Sequence, residues 1–175
     1  MVTPRKPAPT PPQPREQRCS GADEKLRTVN SLSEDETCDL GRTLARNFKG
    51  GELLLLEGDL GLGKTVFARG VARGLGISSE AVSSPSFTLV QEYRGGRLPM
   101  FHVDLYRIND ADDVGTLGLD EILESGAVVV VEWGEKLPPF YSRDALTVRF
   151  HDVGEGARRI ELLKNDSSRR SSSNA

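Results

Sequence analysis

The sequence predicts an α/β domain, a mixed β-sheet flanked by helices, and three observations predict it. Leu53–Leu56 and Ala127–Val131 are unbroken apolar runs, the pattern of strands covered on both faces, as in a parallel sheet. Amphipathic helical stripes lie before and after the first run. Two further runs flank Arg94-Gly95-Gly96-Arg97, where a Gly-Gly centre supplies the positive φ angles of a two-residue hairpin. Strands interleaved with helices, plus a hairpin, define an α/β domain with a mixed sheet.

In chain order, Ser33 is placed to cap a helix, with Glu34, Asp35 and Glu36 complementing its positive N-terminal dipole. Leu40, Leu44 and Phe48 recur at helical spacing, and Gly50-Gly51 ends the run. After the leucine strand and a glycine-rich turn, Phe67, Val71 and Leu75 form a second stripe, closed by Gly74 and Gly76. Phe87–Tyr93 and Leu98–Asp104 are the expected hairpin strands. A helical region is expected over Ala111–Ser125, stopped by Gly126. Leu146–Phe150 and Arg159–Leu163 close the domain as strands joined by a turn at Asp152–Gly156.

Of the 10 prolines, Pro4, Pro7, Pro9, Pro11, Pro12 and Pro14 fall in the first residues, which carry almost no large apolar side chain. Such a stretch buries too little surface to offset its ordering entropy, so residues 1–26 are expected to be a disordered leader. The Ser/Arg-rich residues 165–175 are expected to fray likewise, which leaves 27–164 as the folded domain. No secretory apolar core follows Met1, and no run approaches the ~20 apolar residues of a membrane span. Arg5, Lys6, Arg15 and Arg18 leave a transit peptide as the alternative, which the prolines disfavour. Cys19 and Cys38 lack the spacing of a disulfide framework or zinc site. The expectation is a soluble cytoplasmic protein with no membrane and no DNA partner. A net charge of −3 argues against direct RNA binding through phosphates and in favour of any nucleic-acid role being indirect.

Gly58-Asp59-Leu60-Gly61-Leu62-Gly63-Lys64-Thr65 matches the phosphate-loop pattern G-x-x-x-x-G-K-T. The glycines let successive N–H groups turn inward to phosphate oxygens, and the following helix adds its positive end. Lys64 supplies a mobile ammonium, and the Thr65 hydroxyl is a hard ligand suited to Mg²⁺. The placement between an apolar strand and an amphipathic helix is the context that separates a real phosphate loop from a chance match. ATP and Mg²⁺ are the cofactors this implies.

Glu132 ends the second apolar strand, where a carboxylate either faces the metal or opens a solvated loop. Asp104, two residues after His102 on one strand face, either orients water near the metal or pairs with Arg107. His102 reads as a packed, hydrogen-bonded imidazole and Trp133 as core. Ser83-Ser84-Pro85-Ser86 is either a plain loop or a switch that senses the terminal phosphate.

Together these pieces resemble the TsaE (YjeE) family of tRNA threonylcarbamoyladenosine biosynthesis. The matching residues are the phosphate loop, Ser84-Pro85-Ser86-Phe87-Thr88-Leu89-Val90, Glu92-Tyr93, His102-Val103-Asp104-Leu105-Tyr106-Arg107, Leu117-Gly118-Leu119 and Glu132-Trp133. The resemblance spans Ser33 to Leu163. It implies a weak ATPase that acts on the TsaB–TsaD complex and reaches tRNA only through it. It further implies Mg²⁺ ligation by Thr65 and Glu132, and catalytic roles for Asp104, Glu132 and Lys64. Nucleotide contacts would come from Glu34, Leu60, Gly61, Leu62, Gly63, Lys64, Thr65, Val66 and Gly156. Leu62, Val66, Ser86 and Gly134 depart from the residues usual in the family, and none removes a phosphate or metal ligand. The rival functions are a P-loop kinase of a small molecule and a non-catalytic nucleotide switch.

Overall fold

The structure, a computed structural model, describes residues 24–165 except 79, 81, 110 and 143. Of the expected disordered leader 1–26 and tail 165–175, residues 1–23 and 166–175 lie outside the described residues. Among the described residues, seven strands form one mixed sheet in the order β1-β7-β6-β2-β5-β4-β3. They are β1 Glu24–Ser31, β2 Leu53–Glu57, β3 Val90–Tyr93, β4 Met100–Asp104, β5 Val128–Glu132, β6 Leu146–Gly154 and β7 Ala157–Lys164. The four central strands, β6, β2, β5 and β4, run parallel. Strands β7 and β1 extend the sheet antiparallel on one side and β3 does so on the other.

Strand parity divides the core. Leu54, Leu56, Val128 and Val130 face one way, against Phe67, Val71 and Leu75 of α2 (Lys64–Leu75). Leu53, Leu55, Val129 and Val131 face the other way, against Val114 of α3 (Ala111–Gly115) and Leu119 and Ile122 of α4 (Leu119–Glu124). Each fully buried leucine of β2 contributes about 1.5–3 kcal/mol relative to exposure, which is why this run lies at the centre of the sheet.

Helix α1 (Glu34–Ala45) starts as expected: Ser33 Oγ accepts from the Glu36 amide at 3.1 Å, and the Glu36 carboxylate accepts from the Leu32 amide at 2.7 Å. This cap satisfies one donor that the helix start leaves free, the Glu36 amide, and fixes the Leu32 amide just before it. Gly74 does not close α2, as the sequence suggested; it lies inside the helix, and Gly76 in the left-handed conformation is the cap. Gly74 belongs instead to a row of glycines that brings α1 and α2 into backbone contact. A β-carbon on Gly41 would lie 2.5 Å from the Phe67 carbonyl oxygen, and one on Gly70 would lie 2.0 Å from that of Cys38.

Other expectations are corrected by particular contacts. Strand β1 begins at Glu24, three residues before the expected domain boundary at 27, and pairs with β7. The run at Phe87 begins as a turn and becomes strand only at Val90. The β3–β4 connection is longer than a two-residue hairpin, since Tyr93 pairs with Met100. Its chain detours to α2, where the Arg97 amide bonds the Leu75 carbonyl at 2.8 Å. Gly118, left-handed, splits the expected helical region into α3 and α4. Strands β6 and β7 extend to a tight turn at Glu155-Gly156.

Candidate nucleotide site

The loop from β2 to α2 needs its glycines for distinct reasons. A β-carbon on Gly58 would lie 2.6 Å from the Phe150 carbonyl oxygen, so the loop leaves the sheet too close to β6 for any side chain. Gly61 and Gly63 take positive φ values of 84° and 96°, and Gly63 is the residue that opens α2. The first N–H groups of a helix have no intrahelical acceptor, so this loop presents donors to an anion. Lys64 Nζ lies back on its own loop, donating to the carbonyls of Gly58 and Asp59, the latter at 2.8 Å. It also sits 4.1 Å above the Trp133 ring. Burial pushes the Lys64 ammonium below the ordinary lysine range, opposed by nearby carboxylates, Glu132 foremost.

Parity brings the acids to the same place. His102 and Asp104 of β4 and Glu132 of β5 share the sheet face that carries α2, and Asp104 is in register with Glu132. Glu132, 4% exposed, is no solvated loop residue. Its Oε1 accepts from Thr65 Oγ1 at 2.7 Å and meets His102 Nε2 at 2.9 Å. His102 is fully buried and hydrogen-bonded, as its sequence context suggested.

Asp104 does not pair with Arg107, whose guanidinium instead stacks 4.4 Å over the Phe87 ring. Its Oδ2 accepts from the hydroxyls of Ser84 and Ser86, and its Oδ1 from the Tyr106 amide at 2.9 Å. Burial alone would raise the Asp104 carboxyl, but these donors outweigh it and hold the group below its ordinary value. The serine turn is thus tied to the acid; left-handed Leu89, whose amide bonds the Pro85 carbonyl, folds it there.

Trp133 is not simply core. It is half-buried with a φ of 60°, and its ring meets Tyr106 at 5.2 Å and Lys64. Gly134 follows because a β-carbon there would lie 2.6 Å from Leu55 Cβ.

These residues line one cleft of about 400 Å³. It gathers Glu34, Leu60, Gly61, Gly63, Lys64, Thr65, Val66, Asp104, Glu132 and Trp133 with Ser84, Ser86, Tyr106 and Arg107. Leu62 and Gly156 are not in it; they line an adjoining groove of about 290 Å³ between the phosphate loop and the β6–β7 turn. Sequence reasoning missed two residues here. Lys136 donates to the carbonyls of Leu105, Tyr106 and Ile108, clamping the chain after Asp104. Arg158 bonds Thr37 Oγ1 at 3.2 Å and packs beside Gly63. Neither carries a motif, since each acts on backbone or across the fold.

The residues fit a Mg²⁺–nucleotide. The donor set is oxygen, a hydroxyl and a carboxylate already 2.7 Å apart beside a donor-rich helix start. No group of three His, Cys, Asp or Glu side chains suited to a metal exists among the described residues. Mg²⁺ commonly takes one or two protein oxygens and completes its shell with phosphate and water.

Comparison with known proteins gives one answer. The family model for "Threonylcarbamoyl adenosine biosynthesis protein TsaE" matches residues 31–160. A tRNA threonylcarbamoyladenosine biosynthesis protein TsaE of Bacillus subtilis (strain 168) is 40% identical over 136 residues, covering 78% of this chain and 82% of that protein. The protein of the same name from Treponema pallidum (strain Nichols) is 35% identical over 137 residues, covering 78% of this chain and 99% of its own. The crystal structure of Bacillus subtilis YdiB superposes with a TM-score of 0.65 at 33% identity, covering 83% of this chain and 89% of that one.

Proposed function

The chain belongs to the TsaE family, and from that premise we propose that it is a Mg²⁺-dependent P-loop ATPase serving threonylcarbamoyladenosine formation in tRNA. The observation that carries this reading is the meeting of Thr65 and Glu132 at 2.7 Å, beside Lys64 and the start of α2. A hydroxyl and a carboxylate at the end of adjacent phosphate-loop elements are the arrangement that P-loop NTPases use for a nucleotide-bound metal.

In this reading the loop amides and Lys64 hold the β- and γ-phosphates, and Lys64 leaves its carbonyl partners to do so. Thr65 and Glu132 hold Mg²⁺, which when bound neutralises charge developing on the phosphate oxygens. Asp104, kept ionised by Ser84, Ser86 and the Tyr106 amide, orients the attacking water by accepting a hydrogen bond from it. Trp133 and Tyr106 wall the cleft on the side of Lys64.

The partner is the TsaB–TsaD complex, and tRNA is reached only through it; the net charge of −3 suits that division of labour. A cytoplasmic protein is proposed, and no described helix is long and apolar enough to cross a membrane. The test is reconstituted tRNA modification by TsaB–TsaD with threonylcarbamoyl donor. Repeated turnover is expected with this protein and ATP, and none with Lys64→Ala; modification indifferent to the protein would reject the assignment.

A further inference from the structure

We infer that His102 is a positioning residue for Glu132, holding its carboxylate toward Thr65 through a hydrogen bond donated from Nε2. The inference deepens the Mg²⁺ reading above and rests on it. His102 sits on β4 in register with Val130, one step short of the Asp104–Glu132 pair, on the face shared with α2. Both side chains are out of solvent, at 0% and 5% exposure, and Nε2 lies 2.9 Å from Glu132 Oε1. The same oxygen accepts from Thr65 Oγ1 at 2.7 Å, so one atom of Glu132 is fixed from two sides.

The other ring nitrogen settles the direction of the bond. His102 Nδ1 is buried and has no hydrogen-bond partner among the described residues. A proton there would be a donor without an acceptor in a low-dielectric interior, which is costly, whereas a bare lone pair costs less. The proton therefore sits on Nε2, and the carboxylate is its acceptor. With one oxygen held by His102 and Thr65, the carboxylate is restrained in rotation, and metal-ligating carboxylates gain affinity from such outer partners.

The test compares His102→Gln, His102→Asn and His102→Leu by binding of a fluorescent ATP analogue with and without Mg²⁺. Glutamine places an amide donor near the position of Nε2, whereas asparagine reaches only to that of Nδ1. Leucine and asparagine should each weaken the Mg²⁺-dependent part of binding by about tenfold. Metal-free binding should stay within about twofold, and His102→Gln should retain most of the Mg²⁺ effect. Nitrogen-15 NMR of the wild-type ring, which needs no variant to fold, should show the proton on Nε2. A proton on Nδ1 alone, or Mg²⁺ dependence unchanged in folded His102→Leu, overturns this inference alone. Wild-type nucleotide binding that ignored Mg²⁺ would overturn the metal reading and this inference with it.

Discussion

Lys64 Nζ lies 4.1 Å above the Trp133 ring, so the cation of the phosphate loop touches the residue that follows Glu132. Cation–ring contact of this kind is worth roughly 0.5–2 kcal/mol, enough to park the ammonium and too little to hold it against phosphate. Nucleotide should draw Lys64 off the ring and change the emission of the chain's single tryptophan. Lys64→Ala should abolish that change and weaken ATP binding about 10–100-fold, the loss of a charge-assisted hydrogen bond. A fluorescence titration checks both.

Asp104 sets an acid limit on stability. Its folded value is lowered, so its stabilising contribution is complete above the unfolded carboxylate value of about 3.9 and fades as pH falls through the lower folded value. Replacing Ser84 and Ser86 together by alanine removes two donors, brings the folded value back up and shrinks that contribution. The double variant should be less stable than wild type by about 1–3 kcal/mol at neutral pH. The gap should narrow as the medium is acidified below about pH 4. Urea unfolding across that range measures it.

Gly70→Ala should destabilise the fold although α-helix propensity favours alanine. The added carbon would lie 2.0 Å from the Cys38 carbonyl oxygen and 2.8 Å from its carbon, both backbone atoms of α1. Separating the helices should cost about 1–3 kcal/mol and lower Tm by roughly 2–4 °C for each kcal/mol. Gly115→Ala, with no atom of the described residues within 4 Å of the new carbon, should change stability by no more than about 0.5 kcal/mol. Thermal unfolding of the pair separates close packing from propensity.

What the sequence disclosed was what is local. The phosphate loop is contiguous, and its strand and helix announce themselves by apolar runs of matching period, so the fold class and the loop residues Lys64 and Thr65 could be read directly, whereas Glu132 stayed open between a metal-facing acid and a solvated loop residue. Strand β1 could not: Glu24–Ser31 carries only Leu26 and Val29 as large apolar residues, because it is a largely exposed edge whose order comes from pairing with β7. The β3–β4 connection misled because Gly96 and Arg97 answer to the end of α2 rather than to a hairpin. The partners of Asp104 stayed open for a similar reason. Arg107 is near in sequence, whereas Ser84 and Ser86 arrive through a turn whose left-handed Leu89 carries no sequence signature. Thr65 and Glu132 stand 67 residues apart, and only the β2–β5 pairing makes them neighbours.

The central claim is tested most directly by ATP hydrolysis with Mg²⁺, with and without TsaB–TsaD, for wild type beside Glu132→Ala. Slow hydrolysis alone, strong stimulation by the complex, and a fall of about 100-fold or more in Glu132→Ala are predicted. Hydrolysis that ignored both the complex and the loss of Glu132 would contradict the account.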